Sequence, residues 1–302
     1  MTEILNTLAA ALRENCPALE LRVDEPMSRH TSFRVGGPAA LMACPKTEAE
    51  AAAAVKTAVK LGVEPFFLGN GSNLLVPDAG VERFLVKAVP GLNQCRVEGN
   101  FITAGAGATL ARVAMAAKEH GLTGLEFAHG IPGSLGGAVF MNAGAYGGEM
   151  AQVVRQVTCL TAGGEVENVT DFGFGYRKSV FSDGKRMILS AKMELQPGDP
   201  AAISARMEEL SAQRQAKQPL EYPSAGSMFK RPVGYFAGAL IEQTGLKGFA
   251  VGGAQVSEKH AGFVINRGGA TCTDVLELVR QVQQRVKAHT GVDLEMEVRV
   301  LR

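Results

Sequence analysis

Tryptophan is absent from this chain of 302 residues, and cysteine is scarce: five residues, with no Cys-x-x-Cys pair and no neighbouring histidine. That pattern offers neither a metal-binding nor a dithiol spacing, and an odd count argues against a disulfide framework. Cys16, Cys44, Cys95, Cys159 and Cys272 therefore read as reduced core thiols that fit a cytoplasmic protein. An excess of one charge is missing too. The formal balance is +1, so no field over the whole molecule invites nucleic acid or an anionic membrane, and any anionic ligand must be met locally. No run reaches the roughly 20 uninterrupted apolar residues of a membrane-spanning helix. Glu3, Arg13 and Glu14 interrupt the apolar opening segment, which does not read as a secretory signal. A soluble protein is expected, without membrane insertion, nucleic-acid partner or bound metal.

What is present alternates between helix and strand. The length suits about two or three units of ordinary domain size. Ile4, Leu5, Leu8 and Leu12 recur at helical spacing. Thr47 and Glu50 form a capping box for a helix through Val55 and Val59 that stops at Gly62, and a short buried strand follows at 65–68. A strand at 101–104 leads to a helix capped by Thr109, with Leu110, Val113, Ala114 and Ala117 on one face and Gly121 at its end. From 153 to 195 the pattern turns to alternating strands with a hairpin signal at Gly163-Gly164. Asp199 and Pro200 open a helix carrying Ile203, Met207 and Leu210 that leads into a new domain. Helices near 234–244 and 273–289 surround an apolar strand at 262–266. At the end, Val292, Leu294, Met296, Val298 and Val300 alternate with Asp293, Glu295, Glu297 and Arg299, which predicts a closing strand with one charged face.

Two glycine-rich segments stand out. Gly69-Asn70-Gly71-Ser72-Asn73 directly follows a strand, and its backbone amides can converge on an anion; an ordinary Asn-Gly hairpin turn is the competing reading. The second runs from Gly130 to Gly148, with Gly130-Ile131-Pro132-Gly133-Ser134, Gly136-Gly137 and Asn142-Ala143-Gly144 within it. Each glycine costs about 0.5–1 kcal/mol in chain entropy relative to alanine, and close backbone approach to a large ligand would explain so many. Neither segment carries the Gly-Lys-Ser/Thr of a Walker motif. Gly105-Ala106-Gly107 sits between strand and helix as in a dinucleotide fingerprint, but Leu110 occupies the third glycine position, which disfavours a Rossmann site.

These two runs, together with Tyr176-Arg177-Lys178-Ser179 and Pro223-Ser224-Ala225-Gly226-Ser227-Met228-Phe229-Lys230, resemble the UDP-N-acetylenolpyruvoylglucosamine reductase family over essentially the whole chain. The short spacing between Arg177 and Ser227 is similar to the variety that lacks an extra tyrosine-bearing substrate loop. The resemblance implies an α+β fold, with a two-part FAD-binding domain of the vanillyl-alcohol-oxidase (PCMH) type and a C-terminal α+β substrate domain. Residues 1–64 would be the N-terminal part of the FAD-binding region, 65–198 the FAD-binding domain and 199–302 the substrate-binding domain. It further implies non-covalent FAD, NADPH as reductant, and a cytoplasmic monomer. The reaction would reduce UDP-N-acetyl-3-O-(1-carboxyvinyl)glucosamine to UDP-N-acetylmuramate in peptidoglycan precursor synthesis.

By the same resemblance FAD lies on Gly69, Asn70, Gly71, Ser72 and Asn73, and on Gly130, Ile131, Pro132, Gly133, Ser134, Gly136, Gly137, Asn142, Ala143 and Gly144. Arg177 would hold the substrate carboxylate, Ser227 donate a proton and Glu297 stabilise an enol-like intermediate, while Tyr176, Lys217, Lys230 and Arg231 meet the rest of the substrate. Without the family, Arg177 reads as a solvated loop charge, Ser227 as a turn residue and Glu297 as the wet face of the last strand. Like charges at Asp293, Glu295 and Glu297, about 7 Å apart along a strand, would favour protonation of at least one. No nicotinamide motif distinguishes NADPH from NADH. An oxidase on the same flavin fold and a non-catalytic nucleotide-binding protein remain as alternatives, and His129 is the only histidine near the loops for a covalent flavin tether.

Overall fold

The computed structural model describes residues 1–301. They form two compact units, each assembled from three stretches of chain. The first unit takes 1–24, 40–70 and 82–213, and the second takes 25–39, 71–81 and the chain from 214 onward. The sequence reading divided the chain at 64 and 198; the passages between units fall at 24–25, 39–40, 70–71, 81–82 and 213–214.

In the first unit, helix α1 (Glu3–Asn15) packs on α2 (Glu48–Lys60). Leu5, Leu8 and Leu12 are buried as their spacing requires, whereas Ile4 is exposed. Thr47 accepts from the Glu50 amide at 3.1 Å, but the Glu50 carboxylate reaches one residue past the expected box and accepts from Lys46 N–H at 2.7 Å. A four-stranded sheet runs in the order Glu20–Pro26, Pro38–Cys44, Val81–Lys87, Pro65–Leu68, and its last two strands are parallel.

A second, five-stranded antiparallel sheet is ordered Val166–Val169, Val154–Leu160, Met187–Glu194, Phe101–Gly105, Cys95–Glu98. The hairpin expected at 163–164 closes it, with Thr161 N–H donating to Glu165 C=O and Gly164 at φ +80°. Helices α3 (Leu110–Glu119) and α4 (Leu135–Met141) pack on this sheet. Helix α5 (Pro200–Lys217) starts where predicted, its Ala201 and Ala202 amides donating to the Asp199 carboxylate. Gly105 and Gly107 have a structural cause: a Cβ at either would lie about 2 Å from the carbonyl oxygens of Leu92 and Ala88 respectively.

The second unit has its own core, centred on Met228, Phe229, Ile241, Val264, Leu278 and Val282. Its antiparallel sheet is ordered Ser224–Ser227, Phe263–Asn266, Ala254–Val256, Ala250–Val251. Helices α6 (Ala237–Gln243) and α7 (Cys272–Thr290) pack against each other. Thr271 and Asp274 form a complete capping box on α7. Asp78 adds a second cap from a distant part of the chain: its carboxylate accepts from Cys272 N–H at 2.7 Å, Thr273 N–H at 2.9 Å and the Thr273 hydroxyl at 2.7 Å.

The closing strand predicted over 292–300 is a correction. Only Arg299–Val300 is regular strand, parallel to Leu74–Leu75. Before it the extended chain pairs with a different partner, Met296 bridging Phe229. The segment changes partners midway, so its alternating pattern survives while a single ladder does not. Among the described residues no helix is long and apolar enough to cross a membrane.

Candidate active site

The two glycine segments meet within the first unit. A Cβ at Gly69 would lie 2.4 Å from Ser134 Oγ, and Asn70 Nδ2 donates to the Pro132 carbonyl at 2.9 Å. The strands flanking the first loop, Pro65–Leu68 and Leu74–Leu75, belong to different sheets, so the segment is not a hairpin turn. Past Asn70 the loop is fixed in the second unit. Gly71 takes φ +62° and its missing Cβ leaves room for the His30 carbonyl, which a Cβ would meet at 2.0 Å. Asn73 Nδ2 donates to the Glu297 carbonyl at 3.1 Å, and Arg299 N–H donates to Asn73 C=O at 3.1 Å.

Not every glycine of the second segment faces a ligand. A Cβ added at Gly136 would lie 2.8 Å from Ala106 Cβ, one at Gly144 2.8 Å from the Gly148 carbonyl oxygen, and one at Gly148 2.4 Å from the Phe127 ring. Gly137 differs: it is exposed, and its Cβ would meet nothing nearer than Ser134 Oγ at 3.5 Å. Here the protein itself makes no use of the missing side chain. The backbone at the start of α4, capped by buried Ser134, is open at Gly137, and helix N-termini of this kind can accept an anion. Asn142 has another task. It ends α4 at φ +44°, accepts from Ala151 N–H at 2.9 Å and donates to Gly175 C=O at 3.2 Å.

That last bond, with Ser179, places Arg177. Buried Ser179 donates to the Phe140 carbonyl at 2.8 Å, while Gly175 and Lys178 exchange backbone hydrogen bonds at 3.0 and 3.2 Å. The end of α4 thus holds both sides of a tight turn whose apex is Tyr176-Arg177. Arg177 is half-buried at φ +56°, its guanidinium carbon 5.2 Å from the centre of the exposed Tyr176 ring.

In the second unit the backbone of Glu297 is tied to the residue that follows Ser227. Ser227 pairs with Phe263 after a bulge that Gly226 makes at φ +77°. The next residue, Met228, accepts from Glu297 N–H at 2.9 Å, and Lys230 N–H donates to Glu295 C=O at 2.8 Å. Both candidate residues are half-buried. Two of the three aligned carboxylates have basic partners: Lys287 pairs with Asp293 at 2.5 Å and Lys230 pairs with Glu295.

Of the remaining substrate candidates, Lys217 is exposed at the end of α5, and Arg231 stacks 3.9 Å from the Phe236 ring centre. Lys230 is engaged by Glu295, so an anionic ligand at that lysine must compete with a carboxylate. Among the described residues the cysteines form no disulfide; burial pushes the Cys159 and Cys272 thiols up to about 11, which keeps them in the neutral form. No cluster of His, Cys, Asp and Glu suited to a metal occurs among the described residues.

The sequence profile described as FAD binding domain matches residues 39–170, and that described as UDP-N-acetylenolpyruvoylglucosamine reductase, C-terminal domain, matches 218–301. The UDP-N-acetylenolpyruvoylglucosamine reductase of Clostridium perfringens is 49% identical over 284 residues, covering 93% of each chain. That of Pediococcus pentosaceus is 48% identical over 287 residues, covering 94% of this chain and 95% of its own. The crystal structure of the reductase from Thermus caldophilus is similar at a TM-score of 0.80 with 36% identity, over 94% of this chain and 99% of that one. On identity sustained through both units, this chain belongs to the UDP-N-acetylenolpyruvoylglucosamine reductase family.

Proposed function

We propose that Arg177, Ser227 and Glu297 carry the chemistry of this flavin reductase, with Tyr176, Lys217, Lys230 and Arg231 holding the nucleotide sugar. The reaction is the NADPH-driven reduction of UDP-N-acetyl-3-O-(1-carboxyvinyl)glucosamine to UDP-N-acetylmuramate in peptidoglycan precursor synthesis, with FAD as cofactor. Bound FAD supplies the hydride, which it takes from NADPH. Residues 69–73 and 130–144 would hold its diphosphate, with Gly137 giving the closest backbone approach. We assign cofactor binding chiefly to the span 65–198 with residues 1–64 in support, and substrate binding to 199–302.

Hydride addition to the outer carbon of the enol ether leaves negative charge on the carbon beside the substrate carboxylate. Arg177 binds that carboxylate and stabilises the charge as it spreads into it. Glu297 donates a hydrogen bond to the enol-like oxygen in its neutral form, and Ser227 delivers a proton to the carbon. The observation that carries the assignment is the backbone bond from Glu297 N–H to Met228 C=O, which fixes Glu297 beside the strand that ends at Ser227.

The enzyme is proposed to act as a cytoplasmic monomer, and gel filtration should show one chain per particle. Purified protein should carry a flavin absorbance that acid releases, and should oxidise NADPH only when the enolpyruvyl substrate is added. Turnover sustained by oxygen alone would make it an oxidase, and a colourless protein would make it a nucleotide-binding protein without flavin chemistry.

A further inference from the structure

Two glycines of the second unit lie against one imidazole, and Gly238 also against the Gly262 backbone, whose nitrogen an added Cβ would meet at 3.2 Å. A Cβ at Gly238 of α6 would lie 3.3 Å from His260 Cε1, and one at Gly262 would lie 3.0 Å from Cε1 and 3.2 Å from Nδ1. The ring is therefore wedged between α6 and the start of the Phe263–Asn266 strand. Phe263 closes on it edge-on, with centroids 5.0 Å apart and planes at 66°. The Ser257 hydroxyl holds the turn from below, accepting from Lys259 N–H at 3.2 Å and His260 N–H at 3.3 Å.

The bond that matters runs from Gly262 N–H to His260 Nδ1, at 3.1 Å. An Nδ1 that accepts carries no proton, so the neutral ring has its hydrogen on Nε2. Gly262 passes this restraint on: its carbonyl accepts from Met228 N–H at 2.9 Å, and its neighbour Phe263 pairs with Ser227. We propose that His260 is a positioning residue for Ser227, its acceptor nitrogen fixing the backbone against which the Ser227 strand registers.

The proposal rests on Ser227 as proton donor. Burial, the largest cause, lowers the His260 pKa from 6.5; a backbone hydrogen bond opposes this, Lys247 adds to it and Glu242 opposes it. The charged groups around the ring are Lys247 and Glu242, paired with each other at 2.6 Å, and Glu258 and Lys259 on its own turn. Protonation of Nδ1 at acid pH would set a donor against the Gly262 N–H and break the bond.

The test uses the flavin-loaded enzyme and measures two half-reactions separately by anaerobic stopped flow from pH 5 to 8: flavin reduction by NADPH and its reoxidation by the enolpyruvyl substrate. His260→Asn places an amide oxygen where Nδ1 stands and does not titrate. His260→Ala should slow reoxidation by about tenfold to a hundredfold with flavin reduction unchanged. His260→Asn should stay within about threefold of the parent and lose the parent's decline at acid pH. Equal slowing in both variants, a parental rate in His260→Ala, or an acid decline kept in His260→Asn would overturn the proposal. If His260→Ala does not fold, the pH profile of His260→Asn decides alone. Should Ser227→Ala leave reoxidation intact, the reading of Ser227 fails and takes this one with it; loss in Ser227→Ala beside parental His260 variants defeats only the role of His260.

Discussion

Arg177 keeps a left-handed backbone, φ +56°, that a long side chain rarely adopts, and does so in a turn tied down by Asn142 and Ser179. Such conformations cost about 1–3 kcal/mol and persist where the surroundings over-determine them, often at functional sites. Arg177→Gly should therefore keep or raise the melting temperature while abolishing substrate-dependent reoxidation of the flavin. Arg177→Lys, which retains charge but loses the planar fork, should weaken the same step by about tenfold or more. A Gly variant that is both unstable and active would contradict a functional reason for the strain. At Glu297 the Gln variant, still a donor, should lose less rate than the Ala variant, and equal losses would remove the hydrogen-bond role. None of these roles was legible in residue types alone. Physics gave a loop arginine and a turn serine, and the family motifs supplied the rest. Lys287 and Lys230, one of them far away in sequence, pair with Asp293 and Glu295, partners that the strand pattern alone could not reveal.

Elements show a cleaner division between local and distant causes. Thr47, Thr109 and Asp199 announced their helices because a cap needs only residues within one turn. Asp78 could not be read as a cap on α7, because its partners lie at the other end of the chain. Asp78→Ala should destabilise the second unit by about 1 kcal/mol, measured by chemical unfolding. Burial raises the Asp78 pKa, but hydrogen bonds from Thr273 and Cys272 outweigh it and the net shift is downward from 3.8. Because the folded value lies below the unfolded one, this stabilisation is complete above about pH 4 and is lost as pH falls through the lower folded value. The variant should accordingly converge with the parent at acid pH; a constant gap would contradict the cap. Within α4, Gly136→Ala forces a Cβ to 2.8 Å from Ala106 and should cost about 1–3 kcal/mol. Gly137→Ala meets only Ser134 at 3.5 Å, so it should leave stability intact and instead loosen the flavin, read as cofactor lost on gel filtration. The abundance of glycine in 130–148 was visible in the sequence. Which glycines serve packing and which leave room for a ligand was not.

At the scale of the whole molecule, the sequence showed alternating helices and strands, the family resemblance implied the α+β fold, and neither showed the interleaving. Residues 25–39 and 71–81 belong to the C-terminal core, where Asn266 Nδ2 donates to Phe33 C=O and Asn73 holds Glu297. Hydrophobic periodicity reports that a face is buried, not against which partner, so only the three-dimensional structure sorts Phe33, Val35 and Leu75 into the second core. On the proposed reading, the glycine loops would retain the cofactor while Ser227 would act on the substrate alone. Measuring the two half-reactions of Ser227→Ala tests this most directly. Flavin content and reduction by NADPH should match the parent while reoxidation by the enolpyruvyl substrate falls by about a hundredfold or more; equal loss of both half-reactions, or unimpaired reoxidation, would contradict it.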